Sequence, residues 1–211
     1  MGDNENGTLG DGTTTRRLAP VLVEAGGVKF TQISAGLSFS LALGADGNTY
    51  AWGYSPDGQV GNGTNADSLL PVVVSSEGVE FTQVSAGATA ALALDSDGNA
   101  YAWGKNDAGQ LGDGTTTDRF TPVRVNTGGV TFTQINSAAS ISLGLTSEGN
   151  IYAWGKSSTG IPTDSPSRSK QMSSMKRSVR LAVVQRSVRA ASFMIGGITP
   201  RERRGRLLSP V

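Results

Sequence analysis

A 51-residue period runs through the first three quarters of this chain and limits its possible folds more than any other feature. The tetrapeptide YAWG stands at residues 50–53, 101–104 and 152–155. Laid over one another without a gap, Gly2–Trp52, Gly53–Trp103 and Gly104–Trp154 agree in all three copies at 20 of 51 columns. The shared columns include Gly10, Gly61 and Gly112, then Pro20, Pro71 and Pro122, the FTQ triplets that begin at Phe30, Phe81 and Phe132, and Trp52, Trp103 and Trp154. We assign these columns to the frame of the repeat. A period of this length marks one supersecondary unit used again and again, each copy burying the apolar face of the one before.

The pattern inside a unit says what that element is. In FSLALGADGNTYAW (residues 39–52) the apolar Phe39, Leu41 and Leu43 alternate with small residues, Asp46-Gly47 follows, and Tyr50 and Trp52 alternate again. That is the signature of a β-hairpin. Pro20–Val23 and Val28–Ser34 read as two more short strands on either side of Gly26-Gly27. Four strands and no helical stretch per unit describe a propeller blade. Glycine, at 29 of 211 residues, is about twice its usual ~7% share and falls at the turn tips. The predicted fold class is therefore all-β, a partial β-propeller of about three four-stranded blades.

Charge divides the chain where the repeat stops. Residues 1–160 carry 7 Lys+Arg against 15 Asp+Glu, a balance of −8, and residues 161–211 carry 11 against 2, a balance of +9. The predicted organisation is a repeat array over 1–160, with a fourth copy beginning at 155–160, and a basic Ser/Arg-rich tail over 161–211. Two accounts of the tail stand side by side. Its basic residues suit nucleic acid or an anionic surface, and the segment is expected to be disordered by its charge or a weak helix over about 172–193. Its abrupt start and composition are also what a shifted reading frame produces, and the nucleotide sequence around the codon for Gly160, read in three frames, separates the two.

Chemistry is sparsely provided. The chain has no Cys and no His, so a nucleophile would need activation by Lys or a carboxylate, and nearly every carboxylate sits in a turn that the repeat explains. DSDGN (95–99) resembles the start of a calcium loop but has Ala100 where that loop needs glycine. GKS (155–157) resembles a phosphate loop, yet Tyr152 and Trp154 fill the stretch where small residues belong. The Met-Gly start lacks the hydroxyl at position 6, which is Asn6, that a myristoylation signal wants. No apolar run reaches the ~18 residues needed to cross a bilayer. We expect no catalytic centre, no metal, no cofactor and no small-molecule substrate.

The order G-Q-L-G-x-G-T, P-x-x-V, SAG, SLAL and DGN-x-YAWG, seen best over Gly109–Trp154 together with Ser85–Leu94, resembles the regulator of chromosome condensation repeat family. The resemblance covers residues 2–160. It implies seven-bladed propellers that work by displaying loops to other proteins. Eukaryotic members include an exchange factor for a nuclear GTPase, a plant ultraviolet photoreceptor and domains attached to ubiquitin ligases. Bacterial members, the group this chain looks most like, include a secreted β-lactamase inhibitor and surface proteins, although MGDNENGTLGDG has no signal-peptide pattern. Departures are visible: the column in which the family often has His reads Phe39, Ala90 and Ile141, and SAG becomes Asn136-Ser137-Ala138 in the third copy.

Display residues are expected where copies differ and the side chain is large or charged, since shared columns hold the blade together. Candidate protein-binding residues are Tyr54, Arg17, Lys105, Asp107, Arg119 and Phe120, aromatic and Arg side chains being the usual anchors of interfaces. The leading functional expectation is a non-enzymatic module that binds a protein partner. The alternative is a guanine-nucleotide exchange or chromatin-associated regulator like the founding member of the family. The −8 balance of residues 1–160 opposes it, because that surface repels nucleic acid. Both ends fall inside a motif, so we also read the chain as a piece of a longer array. Three blades do not close a ring, and that reading predicts open inter-blade faces at Leu41, Trp52, Leu143 and Trp154.

Overall fold

The computed structural model describes residues 2–156 and 162–163, the last two and Lys156 by backbone alone. The tail from 164 onward, with its predicted helix, lies outside the described residues. Among the described residues there is no helix. The described residues form twelve strands in three antiparallel sheets of four. The first holds β1 (Phe30–Ala35), β2 (Phe39–Gly44), β3 (Thr49–Gly53) and β4 (Ser68–Val73), in that order. The second repeats it with β5 (Phe81–Ala86), β6 (Ala90–Asp95), β7 (Ala100–Gly104) and β8 (Arg119–Arg124). In the third, β9 (Gln134–Ala138), β10 (Ile141–Leu145) and β11 (Ile151–Lys156) are followed by a two-residue β12 (Pro162–Thr163).

The hairpin read from FSLALGADGNTYAW is β2–β3, with Leu43 opposite Thr49 across the Asp46-Gly47 tip. At that tip Asp46 accepts bonds from the Asn48 amide and side chain and from the Tyr50 hydroxyl. Asp95 does the same work in the second blade for the amides of Asp97 and Asn99 and the Asn99 side chain. DSDGN is thus a hairpin tip, its carboxylate turned onto its own backbone.

One strand assignment is corrected. Pro20–Val23 forms no strand, and the fourth strand of each blade comes from the following unit: Tyr50 pairs with Val73 and Gly53 with Ser68, just as Tyr101 pairs with Arg124 and Gly104 with Arg119. The reason is pairing. A strand needs a neighbour, and the PV segment of a unit finds it on the blade before. The first copy has no such blade among the described residues, so Leu18 and Leu22 are left more than four-fifths exposed. Blade and sequence repeat are therefore out of phase by one strand, which ties each blade covalently into the next.

Packing explains the shared columns. Phe30 stacks on Trp52 and meets Tyr50 edge-on, and the same triad recurs as Phe81, Tyr101 and Trp103 and as Phe132, Tyr152 and Trp154, with Phe to Trp ring centroids 6.0–6.1 Å apart in each. Under each indole lies the glycine of the GQxG column. A Cβ on Gly61, whose φ is +74°, would come within 2.6 Å of the Trp103 ring nitrogen, and Gly10 and Gly112 stand in the same relation to Trp52 and Trp154. Tryptophan and glycine recur together because each occupies the space the other leaves.

Two apolar cores lie between blades. Phe39, Leu41 and Leu43 of the first blade pack with Phe81, Val84 and Trp103 of the second, and Ala90, Leu92 and Leu94 of the second pack with Phe132, Ile135 and Trp154 of the third. This corrects the expected open faces. Leu41 is fully covered by the second blade, Trp52 by the segment ahead of the first blade through Gly10 and Val23, and Trp154 by Gly112 and Val125. Of the four, Leu143 alone is open, at 37%.

A second link between blades is polar. The first strand of each sheet has one edge without a strand neighbour, and in the second and third sheets its outward amides are met by side chains of the blade before. Gln32 Oε1 accepts from the Val84 amide at 3.1 Å and Ser34 Oγ from the Ala86 amide at 2.9 Å. Gln83 and Ser85 repeat this for Ile135 and Ser137 at 2.7 and 2.9 Å. The glutamine of FTQ is thereby an inter-blade acceptor, a role its position in a strand does not announce.

Candidate interaction surface

Between β3 and β4, and again between β7 and β8, the chain runs out into a loop of fourteen residues, 54–67 and 105–118, and residues 3–16 take the same course ahead of the first blade. These loops carry three of the six candidate display residues, Tyr54, Lys105 and Asp107, and the other three, Arg17, Arg119 and Phe120, follow directly after them. Long loops hold a shape only if their polar backbone is satisfied, and here one buried side chain does that in each. Asn106 is fully buried. Its amide group donates to Asp113 and to the carbonyls of Thr115 and Thr117, its Oδ1 accepts from the Leu111 amide, and its own N–H is held by Asp118. Asn4 repeats the arrangement with Asp11, Thr13, Thr15 and Leu9.

In the middle loop Ser55 stands in that column and accepts from the Val60 amide. Its loop also lacks an ion pair that the other two have. Arg119 reaches Asp113 at 2.7 Å and Arg17 reaches Asp11 at 2.8 Å, the carboxylates buried and the guanidiniums about one-third exposed. In the middle copy the corresponding residues are Asn62 and Ser68. Acid and base are lost together, as expected for groups that serve each other. Arg17 and Arg119 are thus engaged in bracing their loops, with only the outer part of each guanidinium left to solvent.

The carboxyl of Asp11 is pulled down to about 2, chiefly by the Thr13 hydroxyl and with help from the Thr13 amide, Arg17 and Asn4. For Asp113 burial pushes up, but bonds from Thr115, Arg119 and Asn106 outweigh it and the net direction is again downward. A depressed carboxyl stabilises the fold above its unfolded pKa and loses that contribution as pH falls through the folded value. The bonds to Asp11 should therefore weaken only as pH falls from about 4 towards about 2. Amide exchange at Leu9 and Thr13, followed from pH 6 to pH 2, tests this; an opening complete by pH 4 would contradict it.

The paired replacement gives a second expectation. Arg119→Ser alone leaves Asp113 buried beside an open position and costs about 1–3 kcal/mol. Adding Asp113→Asn recreates the middle-loop pair and should restore most of that loss. A double variant no more stable than the single one, by chemical denaturation, would show that the two do not act as a pair.

The other candidates lie close by. Tyr54 opens the middle loop and is 40% exposed. Lys105 opens the next and pairs with the exposed Asp107 at 3.5 Å. Phe120, 39% exposed, is the second residue of β8 and rests on Gly58, while its carbonyl accepts from the Gly63 amide. The fold thus seats Arg119 and Phe120 against the loop that Tyr54 begins. Arg17 stands in the segment ahead of the first blade, and no contact joins it to this group. Among the described residues no cluster of His, Cys, Asp and Glu could hold a metal ion, and no helix is long and apolar enough to cross a membrane.

Stacked four-stranded antiparallel blades, each completed by a strand from the following repeat, define a protein of the β-propeller class. The chain belongs to the regulator of chromosome condensation (RCC1) repeat family, whose model matches residues 1–43, 46–94 and 97–145. It is similar to the ultraviolet-B receptor UVR8 of Arabidopsis thaliana, with 34% identity over 157 residues, 73% of this chain and 36% of the receptor. It is also similar to the E3 ubiquitin-protein ligase HERC2 of Homo sapiens, with 29% identity over 164 residues, 74% of this chain and 3% of the ligase. Among solved structures human WBSCR16 superposes with a TM-score of 0.66 at 24% identity over 78% of this chain and 45% of that one. Yeast RCC1 (Prp20), in its complex with Kap60, gives 0.56 at 21% identity over 65% of this chain and 36% of that one. The chain therefore spans little more than a third of the plant receptor and a small fraction of the ligase.

Proposed function

We propose that this chain is an interaction module that presents the loops at Tyr54, Lys105 and Asp107, with the neighbouring Phe120 and the outer guanidinium edges of Arg17 and Arg119, to a protein partner. The supporting observation is the division of labour within each loop. A buried Asn or Ser fixes the backbone, and Tyr54 and Asp107, in columns that change from copy to copy, stand exposed on it. A braced loop loses little conformational freedom on binding, which favours affinity. The relatives fit this reading, since yeast RCC1 forms a complex with Kap60. The balance of −8 over residues 1–160 works against direct contact with nucleic acid.

Affinity capture with the whole chain tests the proposal when run beside a Tyr54→Ala, Lys105→Ala variant of unchanged melting temperature. A partner retained by the first and lost at least tenfold by the second supports it. Capture that is indifferent to both substitutions, or salt-sensitive DNA binding by residues 1–160, would overturn it.

A further inference from the structure

Two Asn-Gly pairs lie in the loops, Asn6-Gly7 and Asn62-Gly63. Asn62 stands in the column where the other two loops have Asp11 and Asp113. Its Oδ1 accepts from the Thr64 amide at 3.1 Å and from the Thr64 hydroxyl at 2.8 Å. Asp11 takes the same two bonds from Thr13 at 3.1 and 2.7 Å, and Asp113 takes them from Thr115 at 2.9 and 2.8 Å. The seat of Asn62 thus already has the form that holds a carboxylate elsewhere in the chain. Asn62 is half-buried, while Gly63 and Thr64 are exposed. No side chain shields the Gly63 nitrogen: its φ is +85°, and a Cβ placed there would meet only the Thr121 methyl, at 3.8 Å. That nitrogen is held by its bond to β8, the Gly63 amide donating to the Phe120 carbonyl at 2.9 Å.

We propose that Asn62-Gly63 is a site of spontaneous deamidation, gated by the bond from Gly63 to β8. When the loop lifts locally and that bond opens, the Gly63 nitrogen gives its proton to solvent base and attacks the Asn62 Cγ. The new N–Cγ bond closes a five-membered succinimide, the Cγ–Nδ2 bond breaks, and Nδ2 takes up a proton and leaves as ammonia. Water then adds to one of the two ring carbonyls. Cleavage at Cγ gives aspartate at position 62 on an unaltered backbone; cleavage at the backbone carbonyl gives isoaspartate, with the main chain routed through Cβ and Cγ. The net change is water in and ammonia out, and no oxidant or reductant is needed. The two products act differently. Aspartate keeps both bonds from Thr64 and adds a negative charge to the loop that Tyr54 begins, where Ser68 stands in the column of Arg17 and Arg119 and no guanidinium answers it. Isoaspartate inserts a carbon into the main chain directly before Gly63 and takes its amide away from Phe120. Asn6-Gly7 is an internal comparison, because the Gly7 amide donates to the Asn4 carbonyl within its own loop at 3.0 Å and not to a blade. This chemistry is independent of whether the surface meets a partner.

The experiment incubates the whole 211-residue chain at mildly alkaline pH, folded and in guanidinium chloride. Peptide mass mapping follows the replacement of NH2 by OH at each Asn-Gly pair, and an isoaspartate-specific methyltransferase reports the second product. The expected result is conversion at Asn62 in the folded chain, about tenfold or more slower than in the denatured chain because the loop stays attached most of the time. Phe120→Ala removes the ring that rests on Gly58 from a position 39% exposed, so circular dichroism should match the parent. It should raise the folded rate at Asn62 about threefold or more and leave Asn6 unchanged. Hydrogen exchange of the Gly63 amide gives a readout that needs no substitution, and its rate should rise in step with deamidation as temperature rises below the melting transition. Asn62 left intact in the folded chain long after the denatured chain has converted would overturn the site. Equal rates in the folded and denatured chains, or deamidation that does not follow Gly63 exchange, would overturn the gate.

Discussion

Trp103→Ala should cost about 3–5 kcal/mol, the range for removing a fully buried Trp, and lower the unfolding midpoint by roughly 6–20 °C in a chain of this size. Trp103 is completely buried. Its ring stacks on Phe81 at 6.1 Å, its Nε1 donates to the Gln59 carbonyl at 2.9 Å, and Gly61 lies against it. The indole thus joins hairpin, inner strand and loop of one unit, and it lies in the core that the first blade closes. In a quasi-one-dimensional array the middle element supports both neighbours, so the loss should appear in all three blades. Thermal melting measures the effect, and a midpoint within about 3 °C of the parent would show that the loops and hairpins hold without the indole.

Removing the two inter-blade acceptors should be almost as damaging. Gln83→Ala with Ser85→Ala leaves the amides of Ile135 and Ser137 without their partners, and both residues are over nine-tenths buried. An unsatisfied buried donor costs about 1–3 kcal/mol, so the pair should cost about 2–6 kcal/mol. The control is internal. Gln134→Ala with Asn136→Ala alters the same columns at the open end, where the side chains are exposed, and in dilute solution should stay within about 0.5 kcal/mol of the parent. Hydrogen exchange at Ile135 and Ser137 gives the direct readout: unchanged protection in the first variant would remove the side-chain acceptors from the account of how blades join.

Local periodicity carried much of this fold in the sequence itself. Alternation over FSLALGADGNTYAW determined the β2–β3 hairpin and its tip, because a strand shows one side chain in two to each face and Asp-Gly permits the reversal. The shared glycines and aromatics, laid in columns, identified Trp52, Trp103 and Trp154 as frame residues, and the absence of His and Cys narrowed the chemistry. The candidate surface was legible in part. Tyr54, Lys105, Asp107 and Phe120 emerged as variable positions and are exposed or half-exposed in the structure. For Arg17 and Arg119 the signal of their engagement was also present, in the joint change to Asn62 and Ser68 in the middle copy.

Only the tertiary structure decided which strand pairs with which. A PV segment has the same local propensity whether it closes its own blade or the one before, and the choice depends on which edge is free when the blades stack; hence Val73 pairs with Tyr50 while Pro20–Val23 joins no sheet among the described residues. The same holds for exposure. Leu41 and Leu143 share a column and a chemistry, and one is buried and the other open because a following blade covers only the first. Nor does a glutamine in a strand reveal from sequence that its Oε1 serves an amide 52 positions away. Side-chain periodicity is a property of the neighbouring few residues, whereas strand order, burial and inter-blade bonds belong to segments a full repeat apart.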